Sequence, residues 1–147
     1  MNREDRAEKL FRMGYNCSQS VFAAFADCVG MTVEEAAGIA SPFGAGFGKL
    51  REVCGAVSGM TLLAGYLKGY SDAKADEEKK ELYKLIQTMC GEFEAEMGSF
   101  ICRELLDLKP GEDMAEPAVR TEEYYSSRPC VKACRTAAAI AEKYLVK

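Results

Sequence analysis

Apolar residues recur at spacings of three and four along most of this chain, which is the periodicity of helices that bury one face. No segment combines an alternating apolar and polar pattern with hairpin turns, so a β-sheet is not expected. Capping residues, glycines and prolines mark where the helices begin and end. They delimit the segments 4–13, 16–28, 32–40, 52–68, 71–96, 102–106 and 129–144. We therefore predict an all-α fold, a compact single-domain bundle of five to six helices spanning residues 1–147.

Local signals define two of the helix starts and the longest loop. Asn16 can cap the second helix, and Thr32 followed three residues later by Glu35 matches a capping box for the third. A Lys-Pro-Gly sequence at 109–111 opens a polar, acidic stretch that continues to about residue 121. We predict that this stretch is a loop and the most mobile region of the chain.

Composition limits the partners and the compartment. The 147 residues are 48% hydrophobic and 29% charged, which suits one globular domain. Nineteen Lys and Arg against 23 Asp and Glu give a net charge of −4, and the basic residues are scattered along the sequence, so nucleic acid is not an expected partner. The first residues lack the apolar stretch of a signal peptide, and no run reaches the roughly 20 apolar residues of a membrane span. We expect a cytoplasmic protein.

Glycines alternate in the segment 43–48, at Gly44, Gly46 and Gly48, and this spacing predicts a loop before the central helix 52–68. The loop lacks both the G-x-G-x-x-G pattern and a preceding strand, so phosphate binding is not favoured. Two interpretations remain open. The glycines allow neighbouring helices to pack closely, or they form a substrate-access loop whose bare backbone lets a substrate or partner thiol reach Cys54.

Histidine is absent, which excludes Ser-His-Asp and Cys-His catalysis and every His-containing zinc site. The chain has an odd number of cysteines, seven in all, which cannot form a closed set of structural disulfides. They are Cys17, Cys28, Cys54, Cys90, Cys102, Cys130 and Cys134. Cytosolic disulfides are usually transient or catalytic, so the chemistry open to this chain is cysteine thiol chemistry.

Four of the cysteines fall near predicted helix N-termini. They are Cys17, Cys54, Cys102 and Cys130. Free backbone amides and the positive end of the helix dipole favour an anion there, so we expect lowered thiol pKa values and reactive thiolates. Cys28 and Cys90 lie late in helices among apolar neighbours, where a buried thiol acts as a small hydrophobe.

Cys134 lies one helical turn after Cys130, so the two thiols could meet as a redox pair or as two ligands of a soft metal. Their Cα atoms would be about 6 Å apart in a regular helix, near the upper end of the disulfide range, so oxidation would distort the helix. No C-x-x-C sequence occurs in the chain, so neither a thioredoxin motif nor a paired zinc knuckle is indicated.

The sequence Cys54-Gly55-Ala56-Val57-Ser58-Gly59 follows the glycine-rich loop and fits the motif C-G-A-x-x-G. Three further cysteines occur in the contexts Gly14-Tyr15-Asn16-Cys17-Ser18-Gln19, Cys102-Arg103-Glu104-Leu105-Leu106 and Arg128-Pro129-Cys130. In length and in the order of these motifs the chain resembles the C_GCAxxG_C_C family across essentially its whole length. The resemblance implies redox-active thiols at these four cysteines without assigning a reaction, and it leaves Cys28, Cys90 and Cys134 outside the pattern.

Three functions agree with these observations. In the first, a thiol–disulfide redox protein, one thiolate attacks a thiol, disulfide or oxidant substrate and a second cysteine resolves the mixed disulfide. Cys54 is the candidate attacker because it follows the open loop, and at least two of the four cysteines must approach each other in the folded chain. The second is a metal-binding module, in which the four thiolates bind zinc or an iron–sulfur cluster. In the third, the thiols are inert and small-residue helix faces form a homodimer.

Overall fold

The predicted all-α fold is confirmed, but the described residues form eight helices instead of the predicted five to six. The computed structural model describes residues 1–108 and 119–146, so most of the predicted loop 109–121 lies outside the described residues. The helices are α1 (Arg3–Arg12), α2 (Cys17–Ala23), α3 (Val33–Ala40), α4 (Gly55–Lys68), α5 (Asp76–Met97), α6 (Cys102–Leu105), α7 (Glu122–Ser127) and α8 (Cys130–Ala141). Short 3₁₀ turns cover Ala26–Val29 and Ser41–Phe43, and α8 continues into a π-helical turn, Glu142–Val146. Residues 1–108 and 119–146 form no strand, only an isolated antiparallel bridge between Val53 and Ile101.

Side-chain caps begin several helices where the sequence predicts them. Asn16 accepts from the Gln19 backbone N–H at 2.9 Å, and the Gln19 side chain accepts from the Asn16 N–H at 2.9 Å. The same reciprocal pair forms between Thr32 and Glu35, at 3.1 Å in both directions. Thr121 caps α7, a short helix that the sequence analysis does not predict. The two predicted caps are therefore confirmed.

Three helix boundaries differ from the predicted ones, and contacts distant in sequence lie at two of them. The second helix ends at Ala23 instead of residue 28, and the carbonyl of Ala24 beyond it accepts from the guanidinium groups of Arg3 and Arg6. The fourth begins at Gly55 instead of residue 52, because the backbone before it pairs with the strand-like segment 100–102. The fifth begins at residue 76 instead of 71, after a turn in which the side chain of Asp72 accepts a backbone N–H.

Helices α2 and α4 pack with almost no side chain between them. A Cβ added to Gly59 would lie 2.7 Å from the carbonyl oxygen of Ser18, and one added to Gly55 would lie 3.1 Å from Cβ of Cys17. Real Cβ atoms do not approach a backbone oxygen this closely, so only glycine fits at position 59. The C-G-A-x-x-G motif therefore holds the start of α4 against the start of α2.

Helix α8 is anchored to α1 by both apolar and charged contacts. The buried residues of the described segments form one cluster that includes Phe11 of α1 and Ala137 of α8. At the edge of this contact the guanidinium of Arg135 lies 2.8 Å from Asp5 and 2.9 Å from Glu8. These contacts fix the N-terminus of α8, and with it Cys130, beside α1 and α2. Within the described ranges, no helix combines the length and the apolar character needed to cross a membrane.

Candidate functional site

One cavity of about 370 Å³ brings together all four cysteines that the sequence singles out. Cys17, Cys102 and Cys130 are the first residues of α2, α6 and α8, and Cys54 immediately precedes α4. The prediction that these four cysteines lie at helix N-termini is thus confirmed. They approach one another from four separate helices, as a thiol mechanism requires. Their catalytic role stays a prediction.

Two of these thiols are close neighbours. The Cys17 and Cys130 side chains lie near enough for each to shift the pKa of the other, although they are far apart in sequence, and both residues are half-buried in the cavity wall. Cys134, which is fully buried and does not line the cavity, also lies near Cys17 and raises its pKa. The sequence pairs Cys134 with Cys130 through helical spacing. In the folded chain, Cys17 lies near both of them.

The other two thiols of the cavity are brought together by the isolated bridge that precedes α4. The backbone N–H of Cys54 donates to the Phe100 carbonyl at 2.8 Å, and that of Cys102 donates to the Glu52 carbonyl at 2.6 Å. In such a pairing alternate residues point to the same face. Cys54 and Cys102 are therefore diagonal neighbours on one face, and each is almost fully buried.

A buried arginine lies beside Cys102. Nη1 of Arg51 donates to Sγ of Cys102 at 3.4 Å, and the Arg51 side chain is one of the few charged groups in the interior. Two hydrogen bonds hold the backbone of Arg51. Its N–H donates to the Ala45 carbonyl at 3.3 Å, and its carbonyl accepts from Nη1 of Arg103 at 3.0 Å. A guanidinium next to sulfur stabilises a thiolate.

The glycine-rich segment determines where Arg51 lies. It forms a left-handed turn, with φ angles of 55°, 74°, 77°, 58° and 66° at residues 45–49, so the prediction that it is not a regular helix is confirmed. A Cβ on Gly46 would lie 2.6 Å from Cα of Arg51, which supports the close-packing interpretation at that position. Gly44 and Gly48 line the cavity and Gly46 does not. A role in substrate access stays a prediction.

The thiol pKa values contradict the expectation of reactive thiolates at helix N-termini. Burial raises the pKa of Cys54 from its ordinary value of 9.0 to about 12, although the N–H groups of Ala56 and Val57 lower it. Interaction with Cys130 lowers the pKa of Cys17, but interaction with Cys134 and burial raise it by more, so that it lies well above its usual range. Interaction with Cys17, together with burial, raises the pKa of Cys130. At Cys54, removal from water thus outweighs the amides of the helix N-terminus.

Alkaline pH should destabilise the fold through Cys54. The Cys54 thiol ionises near pH 9 in the unfolded chain but only near pH 12 in the folded one, so its contribution is complete below pH 9 and is lost between these values. We expect the free energy of unfolding to fall by up to about 1.4 kcal/mol per pH unit in this window from this thiol. Urea titrations at several pH values give the free energy of unfolding as a function of pH. Between pH 9 and 12 this free energy should fall less steeply with pH in Cys54→Ala than in the control Cys28→Ala. Equal slopes would contradict the assignment.

Positive charge and aromatic rings form another wall of the cavity. Lys49, Arg51, Arg120 and Arg128 line it, and among the described residues its lining contains no Asp or Glu. Arg120 donates to the backbone carbonyls of Phe11 and Tyr15, the latter at 2.8 Å, and its guanidinium lies 4.2 Å from the centre of the Phe11 ring. These basic residues are scattered along the sequence, which did not predict that they converge in the folded chain.

The remaining cysteines lie outside this cavity. Cys28 accepts a hydrogen bond from Nη2 of Arg3 at 3.2 Å and is half-buried. Cys90, also half-buried, lines a second cavity of about 640 Å³ whose other walls are mostly apolar and include the exposed rings of Phe47 and Tyr66. Neither thiol is the fully buried hydrophobe that the sequence indicates. The homodimer stays a prediction.

The described residues contain no group of three or more Cys, Asp or Glu side chains arranged to hold a metal ion. The four cysteines of the cavity are therefore not preorganised as a tetrahedral set in this conformation, as a structural zinc site would require. The zinc and iron–sulfur alternative thus gains no support from the geometry of the residues described. Metal analysis of anaerobically purified protein tests it directly.

One family model matches the chain. It is described as "Putative redox-active protein (C_GCAxxG_C_C)" and covers residues 15–144, which include every cysteine of the cavity. No curated protein and no solved structure is significantly similar to the chain. The match agrees with the resemblance carried by the cysteine motifs, and it specifies redox activity without a substrate.

Proposed function

The chain belongs to the C_GCAxxG_C_C family, and from this membership and the cavity we propose that it is a thiol–disulfide redox protein in which Cys17 and Cys130 are the pair oxidised to a disulfide. One observation carries the proposal. The two thiols come from opposite ends of the chain to neighbouring positions in the wall of one cavity, which is large enough for a small molecule. Disulfide formation requires two cysteines placed side by side.

The proposed reaction is two successive thiol–disulfide exchanges. Cys17 loses its proton and attacks one sulfur of a substrate RS–SR, whose S–S bond breaks. The first RS⁻ leaves and takes up a proton, and a mixed disulfide remains on Cys17. Cys130 then loses its proton and attacks the Cys17 sulfur, which releases the second RSH and leaves a Cys17–Cys130 disulfide. Two protein thiols are oxidised, and one substrate disulfide is reduced to two thiols.

Cys17 is assigned the first attack because this residue is only half-buried in the cavity wall, where a substrate disulfide can reach it. Cys54, the attacker favoured by the sequence, is less suited because it is almost fully buried. The pKa of Cys17 is well above its usual range. The proposed reaction should therefore accelerate as the pH rises above neutrality, since the thiolate is the nucleophile.

Cys54 and Cys102 are proposed as a second thiol pair on the opposite side of the same cavity. Arg51 supports a thiolate at Cys102, which could exchange with the Cys17–Cys130 disulfide after the first reaction. This role explains why four cysteines, and not two, line the cavity.

Counting thiols tests the proposal. Fully reduced protein is mixed with excess hydroxyethyl disulfide without oxygen, and the released mercaptoethanol and the protein mass are measured. We expect two mercaptoethanol molecules for each intramolecular disulfide formed, and a protein lighter by the mass of two hydrogens per disulfide. Cys90→Ser, which lies outside the cavity, should behave as wild type. Accumulation of mercaptoethanol adducts without intramolecular disulfides, or no reaction of the native protein, would refute the proposed function.

A further inference from the structure

We propose that the substrate of this cavity is a small disulfide whose two halves carry negative charge, such as carboxylates. The inference rests on the proposed function and adds the substrate class. It follows from the charge, size and chemistry of the cavity, which are independent of the contact between Cys17 and Cys130.

Arg120 and Arg128 are two of the four cations that line the cavity. Two N–H groups of Arg120 donate to backbone carbonyls, which leaves its positive charge uncompensated by any carboxylate among the described residues. The guanidinium of Arg128 lies 4.8 Å from the centre of the Tyr124 ring, and no described carboxylate pairs with it. The ring of Tyr124 also lies 5.4 Å from the Arg120 guanidinium. Rigid guanidinium groups held on aromatic rings are suited to bind carboxylates.

The size of the cavity limits the substrate to a small molecule. Its volume of about 370 Å³ lies in the lower part of the range of small-molecule sites, about 300–1,000 Å³. Cys54 and Cys102 are almost fully buried, and Cys17 and Cys130 are half-buried. A disulfide in the middle of a folded protein surface could not reach this depth, whereas a free disulfide with short arms can enter.

The same charges assist the chemistry. In each exchange a thiolate leaves, and a lower pKa of that thiol speeds its departure. Arg128 and Arg51 both oppose the rise in the pKa of Cys130, so their field extends over the sulfur that attacks in the second exchange. A cation that stabilises a cysteine thiolate also stabilises the departing thiolate of a substrate held nearby. Anionic substrate arms would bring the leaving group under this influence.

Three disulfides of similar size but different charge test the inference. Dithiodipropionate carries two carboxylates, hydroxyethyl disulfide is neutral, and cystamine carries two ammonium groups. The rate constant for oxidation of the reduced native protein is measured for each at low ionic strength. We expect dithiodipropionate to react about tenfold faster than hydroxyethyl disulfide, and cystamine to be the slowest, because a charged cleft concentrates ligands of opposite charge. Added salt should reduce the rate ratio of dithiodipropionate to hydroxyethyl disulfide, because it screens the charges.

Two variants, each lacking one positive charge, test whether Arg128 causes the preference for the anionic disulfide. Arg128→Gln should lower the rate ratio of dithiodipropionate to hydroxyethyl disulfide about threefold or more. Lys132→Gln removes one positive charge nearby in the sequence, within α8 but outside this cavity, and should leave the ratio unchanged. Circular dichroism checks that both variants are folded, and the salt dependence of the wild type tests the inference without any variant.

The outcomes separate the two proposals. Equal rates with all three disulfides, a preference for cystamine, or an equal loss of the ratio in both variants would overturn the anionic substrate while leaving the thiol–disulfide function intact. No reaction with any of the three would refute the proposed function itself, and the substrate class with it. A salt-sensitive preference for dithiodipropionate that depends on Arg128 supports the inference.

Discussion

Replacing Gly59 by alanine is expected to lower the free energy of unfolding by about 2 kcal/mol, because overpacking a close contact usually costs about 1–3 kcal/mol. The new Cβ would lie 2.7 Å from the Ser18 carbonyl oxygen, and the backbone of α2 would have to move to relieve the clash. The loss occurs even though alanine favours a helix over glycine by about 1 kcal/mol. Because α2 begins at Cys17, the displacement should also separate Cys17 from Cys130.

Gly65→Ala is the matched control, since Gly65 lies in the same helix and a Cβ added there has no neighbour within 4 Å. We expect this variant to be more stable than wild type by about 1 kcal/mol, the usual difference in helix propensity. Chemical denaturation of both variants measures the two effects. If Gly59→Ala is as stable as Gly65→Ala, the close approach of α2 and α4 is wrong.

Replacing Cys130 by serine is expected to abolish formation of the Cys17–Cys130 disulfide and to stop the proposed reaction at the mixed disulfide. Without its resolving thiol, Cys17 should retain the first substrate half, so about one molecule of thiol is released where the wild type releases two for this disulfide. Serine is close in size to cysteine. Intact-protein mass spectrometry followed by peptide mapping should find the adduct on Cys17.

Cys90→Ser is the control for this experiment, because Cys90 is half-buried and lines a different cavity. It should form the Cys17–Cys130 disulfide as the wild type does. If Cys130→Ser still releases both substrate halves with wild-type kinetics, Cys130 is not the resolving cysteine.

The helices could be predicted from the sequence because their signals are local. Periodicity and caps such as Asn16 and Thr32 act within a few residues, and both caps occur as expected. Two of the boundaries that differ depend on residues far away in the chain. Arg3 and Arg6 bind the Ala24 carbonyl beyond the end of α2, and no local pattern could reveal that contact.

The sequence predicts which cysteines line the candidate site but not how they are arranged in it. The motifs identify four cysteines, and all four line one cavity. The contact between Cys17 and Cys130 depends on how α8 packs on α1 and α2, and so does the position of Arg120 on the carbonyls of Phe11 and Tyr15. Contacts across more than 100 residues are properties of the packed fold, which one sequence does not display.

The pKa of the thiols could not be predicted, because two effects oppose each other. A helix N-terminus lowers a thiol pKa through local amides that the sequence can indicate, and Cys54 does receive these hydrogen bonds. Burial raises the pKa, and its extent depends on tertiary packing. At Cys54 burial is larger, so the expected direction of the shift is wrong.

The pairing of Cys17 with Cys130 is tested most directly by mapping the disulfide in oxidised wild-type protein. Reduced protein is treated with one equivalent of hydroxyethyl disulfide, denatured, alkylated to block free thiols and digested. Mass spectrometry should then find one cross-linked peptide that joins Cys17 to Cys130, with Cys28 and Cys90 alkylated. A disulfide between Cys17 and Cys134, or oxidised protein without a peptide that joins Cys17 to Cys130, would contradict the account.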